Sequence, residues 1–230
     1  MISLNHIVYD ILELTRGGTI SDDIKVDERQ VEYLINNQRA LLIRNEYNKP
    51  GRTIDHNIVQ DLGCLELEEA KPEDCCIETN GCVVLRTKDI IPNTIELHDK
   101  TSITRVGPVN KTANSFSFMP YERAVRSGYG KYNSKLTFAY FLNNRIYLKT
   151  GSFSGSTIDY INVRGVFEDP TEAAAFEDCD GTKCFSRDDK YPINGWMVPY
   201  IKEQILRQLG VSMQTPTDTG NDAKEDLNKQ

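Results

Sequence analysis

Three segments of the chain carry apolar residues at a spacing of three and four positions, which is the repeat of an amphipathic helix. They predict helices over residues 4–15, 27–48 and 199–210, and the last of these is expected to stop at Gly210. Asp27 and Gln30 stand three positions apart at the start of the second helix, as in a capping box. The buried stripe of that helix is predicted to carry Val31, Leu34, Ile35, Leu41 and Leu42. We expect the first two helices to form an antiparallel hairpin that the last helix covers.

The middle of the chain has a different texture, with short apolar runs separated by turn residues. These runs predict strands within residues 82–86, 94–98, 103–106, 115–118, 135–142, 145–149 and 158–163. Asn143-Asn144 lies between two of them, and because Asn tolerates positive φ this pair predicts a two-residue hairpin turn. Residues 119–128 are expected to form a short helix, with Pro120 in its first turn and Gly128 at its end.

The order of these elements predicts an α+β fold. The N- and C-terminal helices would form a bundle, and an antiparallel β-sandwich or barrel lobe would be inserted between them. We place the N-terminal helical hairpin at residues 1–52, the β lobe at 53–170, and the C-terminal segment and helix that complete the helix lobe at 171–211. Residues 212–230 are mostly polar with one leucine, so we expect a tail that is disordered or ordered by a partner. No run of about 18 apolar residues occurs, so we expect no membrane-spanning helix.

The distribution of charge is more informative than its total. The 230 residues have a formal net charge of −7, with 27 Lys and Arg against 34 Asp and Glu, which argues against a nucleic-acid-binding protein of the usual basic kind. No acid lies between residues 123 and 158, where six bases occur: Arg123, Arg126, Lys131, Lys135, Arg145 and Lys149. This basic strip, which is interleaved with tyrosines, can contact DNA or the acidic face of a second copy. It can equally consist of solvated lysines on an ordinary sheet.

The sequence contains six cysteines: Cys64, Cys75, Cys76, Cys82, Cys179 and Cys184. The N-terminus lacks the basic and apolar segments of a signal peptide, so we expect synthesis in the cytoplasm, where thiols stay reduced. No Cys-x2-Cys pair occurs and only three histidines are present, so a zinc site with four converging ligands is the less favoured interpretation. We therefore expect reduced and mostly buried thiols.

The sequence lacks the usual motifs for catalysis or phosphate binding. Gly151-Ser-Phe-Ser-Gly155 has a phenylalanine at the middle position, where a nucleophile elbow requires serine, and is better interpreted as a turn. Lys183 stands where a calcium loop needs glycine, and Gly128-Tyr-Gly130 lacks a third glycine. The acidic run Glu66-Leu-Glu-Glu69 is interpreted as solvated surface or helix-start charge. We therefore expect neither an enzyme nor a cofactor.

Two parts of the sequence resemble the tail-adaptor, or tail tubular A-like, ring proteins of short-tailed phages. In that family a loop similar to Ile20-Ser-Asp-Asp23 connects two helices, and the second helix ends in a run similar to Arg39-Ala-Leu-Leu-Ile-Arg44. The last helix, after Pro192-Ile-Asn-Gly-Trp-Met-Val-Pro199, is similar to the closing helix of the family. The resemblance covers residues 1–50 and 190–210 and is greatest to the ring proteins of crAss-like phages, whereas the β region is similar in texture only.

The resemblance implies a virion structural protein without catalytic activity. Such a protein forms a homo-oligomeric ring of about twelve copies in the head-to-tail connector beneath the portal protein. The ring continues the DNA channel, passes DNA without sequence specificity, and offers a docking surface to adjacent ring or tail proteins, with no membrane involved. The basic strip becomes a candidate for contact with DNA in the lumen or with a neighbouring subunit, although no family motif assigns it that role.

Three other interpretations stay open on the sequence alone. One is another component of the phage tail or virion, such as a sheath, plug or stopper. The second is a nucleic-acid-binding module that uses the basic strip, whose affinity for DNA would fall steeply with salt. The third is an accessory domain that is stabilised by zinc.

Overall fold

The computed structural model describes residues 2–15, 26–70, 84–98, 101–128, 131–133, 136–149, 158–183 and 186–213, with side chains to residue 210 in the last helix. These ranges contain five α-helices: α1 Leu4–Thr15, α2 Glu28–Tyr47, α3 Tyr121–Arg126, α4 Pro170–Ala174 and α5 Met197–Met213. They also contain eight strands: β1 Gln60–Asp61, β2 Leu65–Glu69, β3 Val84–Thr87, β4 Ile103–Pro108, β5 Ser117–Phe118, β6 Phe138–Leu142, β7 Arg145–Lys149 and β8 Tyr160–Gly165. The predicted α+β class is confirmed. The predictions for the loop at 20–23, Lys135, the turn at 151–155 and tail residues 214–230 fall outside the described residues.

Helices α1, α2 and α5 pack against one another around a shared apolar core. Each helix contributes residues that are at most 1% exposed: Ile7 and Ile11 from α1, Val31 and Ile35 from α2, and Ile201 and Ile205 from α5. At the start of α1, Ser3 Oγ accepts a hydrogen bond from His6 N at 3.2 Å, which satisfies one of the free N–H groups at the helix start. The apolar spacing therefore places the buried sides of α1 and α5 correctly.

The buried stripe of α2 differs from the predicted one. Val31, Ile35, Arg39 and Ile43 follow one another at four-residue spacing, and all four are fully buried. Leu41 lies two positions from Arg39, on the opposite side of the helix, and is 53% exposed. The prediction that Leu41 is buried is therefore wrong, and an arginine occupies the core-facing position instead.

The helix ends also show two departures from the prediction. Asp27 is the N-cap of α2, but its side chain makes no capping hydrogen bond, so the predicted capping box with Gln30 is wrong. Helix α5 continues through Gly210 to Met213. Gly210 does not have the positive φ of a helix stop, and a glycine inside a helix costs only about 1 kcal/mol, which tertiary packing can offset.

The eight described strands form one curled sheet, a half-barrel, in the order β1-β8-β2-β3-β7-β6-β5, with β4 on the other edge of β8. The pairs are antiparallel except β5 with β6. The two ends of the curl approach each other, since Phe116 N donates to Val106 O at 2.8 Å. A second apolar core fills the curl and includes Leu65, Ile146, Leu148, Ile161 and Phe167.

The predicted local elements of the sheet region are mostly present. Asn143 and Asn144 have φ values of 49° and 56°, as a two-residue hairpin turn between β6 and β7 requires. Helix α3 lies within the predicted range and is followed by Gly128 at φ 94°. The strand predicted at residues 94–98 is wrong, because only an isolated bridge between Thr94 and Phe167 forms there.

Strands β1 and β2 were not predicted from the sequence. The acidic run of residues 66–69 lies in β2, between β8 and β3, so the helix-start interpretation is wrong, whereas Glu66 and Glu69 are exposed as solvated surface charges are. Glu66 Oε2 accepts a hydrogen bond from Lys88 Nζ at 2.8 Å, and Glu68 Oε1 accepts one from Arg86 Nε at 2.6 Å. Partners on β3 and directly after it therefore pair with Glu68 and Glu66, and such partners are not visible in the sequence of β2 alone.

Cys64 and Cys179 form a disulfide that joins positions 115 residues apart. The expectation of reduced thiols is therefore wrong for these two cysteines. The bond links the segment before β2 to the loop after α4, and the backbone pairs beside it through Cys64 N and Glu177 O at 3.1 Å. Only the tertiary fold brings the two thiols within bonding distance. The other four cysteines lie outside the described residues.

Candidate interaction surface

The described bases of the basic strip divide into two groups, and the first group binds the protein itself. Lys149, at the end of β7, donates from Nζ to Val125 O and Ser127 O, both at 2.9 Å. These carbonyl groups lie at the C-terminal end of α3, where a cation complements the helix dipole. Lys149 therefore holds α3 against the sheet.

Arg145, at the start of β7, also has internal partners. Its Nη1 donates to Thr87 O at 2.6 Å and to Lys88 O, and lies 3.9 Å from Glu68 Oε1. The guanidinium thus ties the end of β3 to β7 across the outer face of the sheet. Arg145 and Lys149 were candidates for contact with DNA or a neighbour, and the fold gives both a structural role.

The second group lies on the surface, in and directly after α3. Arg123, Arg126 and Lys131 are exposed and form no ion pair with another described residue. Apolar groups accompany them: Val125 is 45% exposed and Tyr132 is 86% exposed, with Lys131 Nζ 5.9 Å from the centre of the Tyr132 ring. These five residues are called the α3 patch below. The patch combines positive charge with apolar area, which is the composition of a docking surface.

The sheet beneath α3 gives the patch a well-packed base. Ala124 is fully buried and belongs to a small core with Tyr140 and Tyr147. The rings of Tyr140 and Tyr147 stack with centroids 5.3 Å apart, and Tyr121 packs on Tyr140 at 5.5 Å. Burial raises the pKa of Tyr140 to about 12, so its phenol is neutral at physiological pH. The short helix is therefore held by both packing and the Lys149 contact.

A second polar feature lies where the helices meet the sheet, and its centre is Arg39. The side chain is fully buried, donating from Nε to Pro192 O at 2.7 Å, from Nη1 to Phe167 O at 2.8 Å, and from Nη2 to Ile58 O at 3.4 Å. The guanidinium carbon also lies 5.8 Å from the centre of the Tyr191 ring. One arginine thus binds the backbone of three separate segments.

Side-chain hydrogen bonds extend this junction. Tyr191 Oη donates to Asn36 Oδ1 at 2.6 Å, and Asn36 Nδ2 donates to Asp169 Oδ1 at 2.9 Å. Burial is the main effect that lowers the pKa of Arg39, and the nearby Tyr191 and Asp169 oppose it. Burial also raises the pKa of Tyr191, so its phenol remains a donor. The network joins α2 to the segments that follow β8 and precede α5.

The junction connects the two segments that carry the family resemblance. Arg39 opens the Arg39–Arg44 run, and Pro192 opens the run that leads into the last helix. A second contact between them is the hydrogen bond from Asn194 Nδ2 to Tyr47 Oη at 3.0 Å. This site was not predicted from the sequence, although an arginine at four-residue spacing within an apolar stripe is a signal that indicates it.

The described residues contain no group of three or more His, Cys, Asp or Glu side chains that could hold a metal ion. Cys64 and Cys179 are bonded to each other, so neither is available as a thiolate ligand. None of the helices in the described ranges is long and apolar enough to cross a bilayer.

Comparison with known proteins identifies relatives that cover nearly the whole chain. Residues 6–227 match the family model described as phage tail ring protein 2. The chain is also similar to ring protein 2 of Bacteroides phage crAss001, at 25% identity over 232 residues that cover 98% of each chain. Both similarities include the β region, for which the sequence alone indicated texture only.

Proposed function

Because this chain belongs to the phage tail ring protein family, we propose that it forms a ring in the head-to-tail connector beneath the portal, where it continues the DNA channel and gives the tail a docking surface. The observation that carries the proposal is the full-length match, which covers residues 6–227. Helices and sheet alike therefore belong to the unit that the family shares. The protein is made in the host cytoplasm and acts in the virion.

The fold suits a function that depends on geometry. The Arg39 junction fastens α2 to the segments on either side of the sheet region, so the helices and the curled sheet are held together by buried hydrogen bonds. We propose that α1, α2 and α5 act as a bundle that seats against the portal or a neighbouring ring. The curled sheet is then the inserted lobe, in the role that the sequence assigned to a β-sandwich or barrel.

We further propose that the ring contains about twelve copies and has no catalytic activity. Adjacent ring or tail proteins bind its outer surfaces, and passing DNA is contacted without sequence specificity. A free-standing DNA-binding module built on the basic strip has less support, because Arg145 and Lys149 donate to backbone carbonyls of the same chain. These two bases of the strip are thus hydrogen-bonded within the protein and are less available to DNA phosphates.

Imaging of the assembly state tests the proposal. The purified chain is examined by negative-stain electron microscopy alone and after mixing with rings of the portal protein of the same phage. We expect rings of one size. If the protein occupies the proposed position in the connector, these rings should also bind to the portal rings. A chain that stays monomeric and joins neither portal nor tail rings would contradict the proposal. Rings that form but bind only tail components would place the protein at another level of the tail.

A further inference from the structure

A groove at the ends of β2, β3 and β8 has an exposed apolar lining and a charge opposite to that of the α3 patch. It has a volume of about 1000 Å³ and lies beside the Cys64–Cys179 disulfide, between the ends of β2, β3 and β8 and the loop after α4. Ile90 and Tyr160 line it with 62% and 50% of their surface exposed. It is called the disulfide groove below. An exposed apolar lining of this kind marks an interaction surface.

The charge of the groove is negative. Asp89, Glu177 and Asp178 are exposed in its lining and form no ion pair with another described residue. The bases of the lining are already engaged, since Lys88 binds Glu66 at 2.8 Å and Arg145 donates to backbone carbonyls. With four acids against two bases in its lining, the groove carries a net negative charge around apolar side chains, which complements the bases and apolar groups of the α3 patch.

The loop that carries two of these acids is fixed by the fold. Cys179 is bonded to Cys64, and the backbone N–H of Cys64 donates to Glu177 O at 3.1 Å. Within the loop, Asp178 N donates to Thr182 O at 2.7 Å. A preformed acidic wall loses little conformational entropy when it binds a partner.

The two surfaces of one molecule lie at different parts of the sheet. Helix α3 packs on β6 and is held by Lys149 at the end of β7. The groove lies instead at β8, β2, the end of β3 and the start of β7. A contact between two different patches on identical chains is heterologous, and heterologous contacts generate rings when the rotation between copies closes. The two surfaces are therefore placed for a contact between neighbours.

We propose that the α3 patch of one subunit docks in the disulfide groove of the next subunit, and that this contact closes the ring. The inference rests on the proposed ring function and names the surfaces that build the ring. Arg123 and Arg126 face Glu177 and Asp178 of the neighbour, and Val125 packs towards the exposed side chains of Ile90 and Tyr160. The exposed bases of the strip thus bind protein and not the DNA of the channel.

Charge reversal on each surface tests the contact. Arg126→Glu and Glu177→Lys are each expected to weaken assembly about tenfold or more, and to shift the mass in sedimentation velocity from ring to monomer. The mixture of the two variants, or both changes in one chain, restores opposite charges and is expected to restore the ring. Matched controls are Arg29→Glu and Glu13→Lys, at exposed helix positions without ion pairs to described residues, and both should assemble as the unaltered chain does.

Photo-cross-linking identifies the surfaces directly. A photo-reactive benzoylphenylalanine in place of Val125 is expected to cross-link to residues 88–90, 158–160 or 175–181 of another chain, as read by peptide mass spectrometry. Inter-chain cross-links from this position to other segments only, or no inter-chain cross-link, would overturn the proposed contact. Rings that persist in Arg126→Glu but bind less DNA would also overturn it, since the patch would then face the channel. Cross-links at the groove in dimers that never close would support the contact and count against the ring function.

Discussion

Replacement of Arg39 is the most direct test of how the helices are joined to the sheet. Arg39→Met keeps most of the side-chain volume and removes the three donors that bind Pro192 O, Phe167 O and Ile58 O. Because these carbonyls belong to three separate segments, no single rearrangement of α2 can supply new donors to all of them. We expect the variant to fold with lower stability.

The expected loss follows from the geometry. The contacts at 2.7 and 2.8 Å are short, and each buried carbonyl left without a donor costs about 1–3 kcal/mol. The contact at 3.4 Å adds little. Removal of the charge regains part of the penalty for burying a guanidinium, so the expected net decrease in the free energy of unfolding is about 2–4 kcal/mol. That is a large share of the total free energy of unfolding, which is about 5–15 kcal/mol for most proteins.

Urea unfolding followed by circular dichroism measures this decrease. Arg44→Met is the matched control, since Arg44 lies on the same helix with a side chain that is 58% exposed and a 3.9 Å ion pair to Glu96. We expect that control to lose no more than about 0.5 kcal/mol. Arg39→Lys keeps a charge but cannot reach three carbonyls with one ammonium group, so it should be at least as unstable as Arg39→Met. An Arg39→Met variant as stable as Arg44→Met would refute the reasoning.

Three further changes test other parts of the fold by the same urea assay. The hydrogen bond from Lys202 at 2.5 Å is the main cause that lowers the pKa of Asp10 below its ordinary value. The pair therefore stabilises the protein at pH values above the ordinary carboxyl pKa, and this contribution is lost as the pH falls through the lowered pKa. Asp10→Asn should therefore lose about 0.5 kcal/mol at neutral pH and nothing in acid. Replacing Cys64 and Cys179 by serine should lower the free energy of unfolding by about 2–4 kcal/mol, because the bond closes a loop of 115 residues. Asn143→Ala should cost about 1 kcal/mol because Asn143 has positive φ, and Asn143→Gly should cost less.

Each of these expectations has an outcome that contradicts it. A loss in Asp10→Asn that is the same at neutral and acidic pH would show that the ion pair is not its source. Treatment of the unaltered chain with a reductant should reproduce the serine variant, and insensitivity to the reductant would contradict the assigned disulfide. Equal stabilities for Asn143→Ala and Asn143→Gly would contradict a turn that depends on positive φ.

Much of the secondary structure was predictable because its causes are local. The three- and four-residue apolar spacing predicted α1, α2 and α5, and the tolerance of Asn for positive φ predicted the turn between β6 and β7. Local patterns did not predict strands such as β2, whose acidic side chains are explained only by their partners in the sheet. Glu68 and Glu66 of β2 pair with Arg86 on β3 and with Lys88 directly after it, and this pairing is a property of the sheet.

The candidate site was predictable only in part, for the same reason. The sequence identified six bases between residues 123 and 149 and the family to which the chain belongs. It could not show that Lys149 binds the end of α3 or that Arg145 binds β3, since both contacts depend on how the strands are paired.

By itself, the sequence determined the helices, the hairpin turn, the α+β class and the uneven distribution of charge, because each depends on residues that are neighbours along the chain. The tertiary structure decided that Arg39 is buried, that Cys64 meets Cys179, and which bases of the strip reach the surface. Those outcomes depend on residues that lie far apart in the chain and come together only when the sheet curls and the helices pack on it. The acidic surface that could receive the free bases is likewise assembled from distant segments, and it exists only in the folded protein.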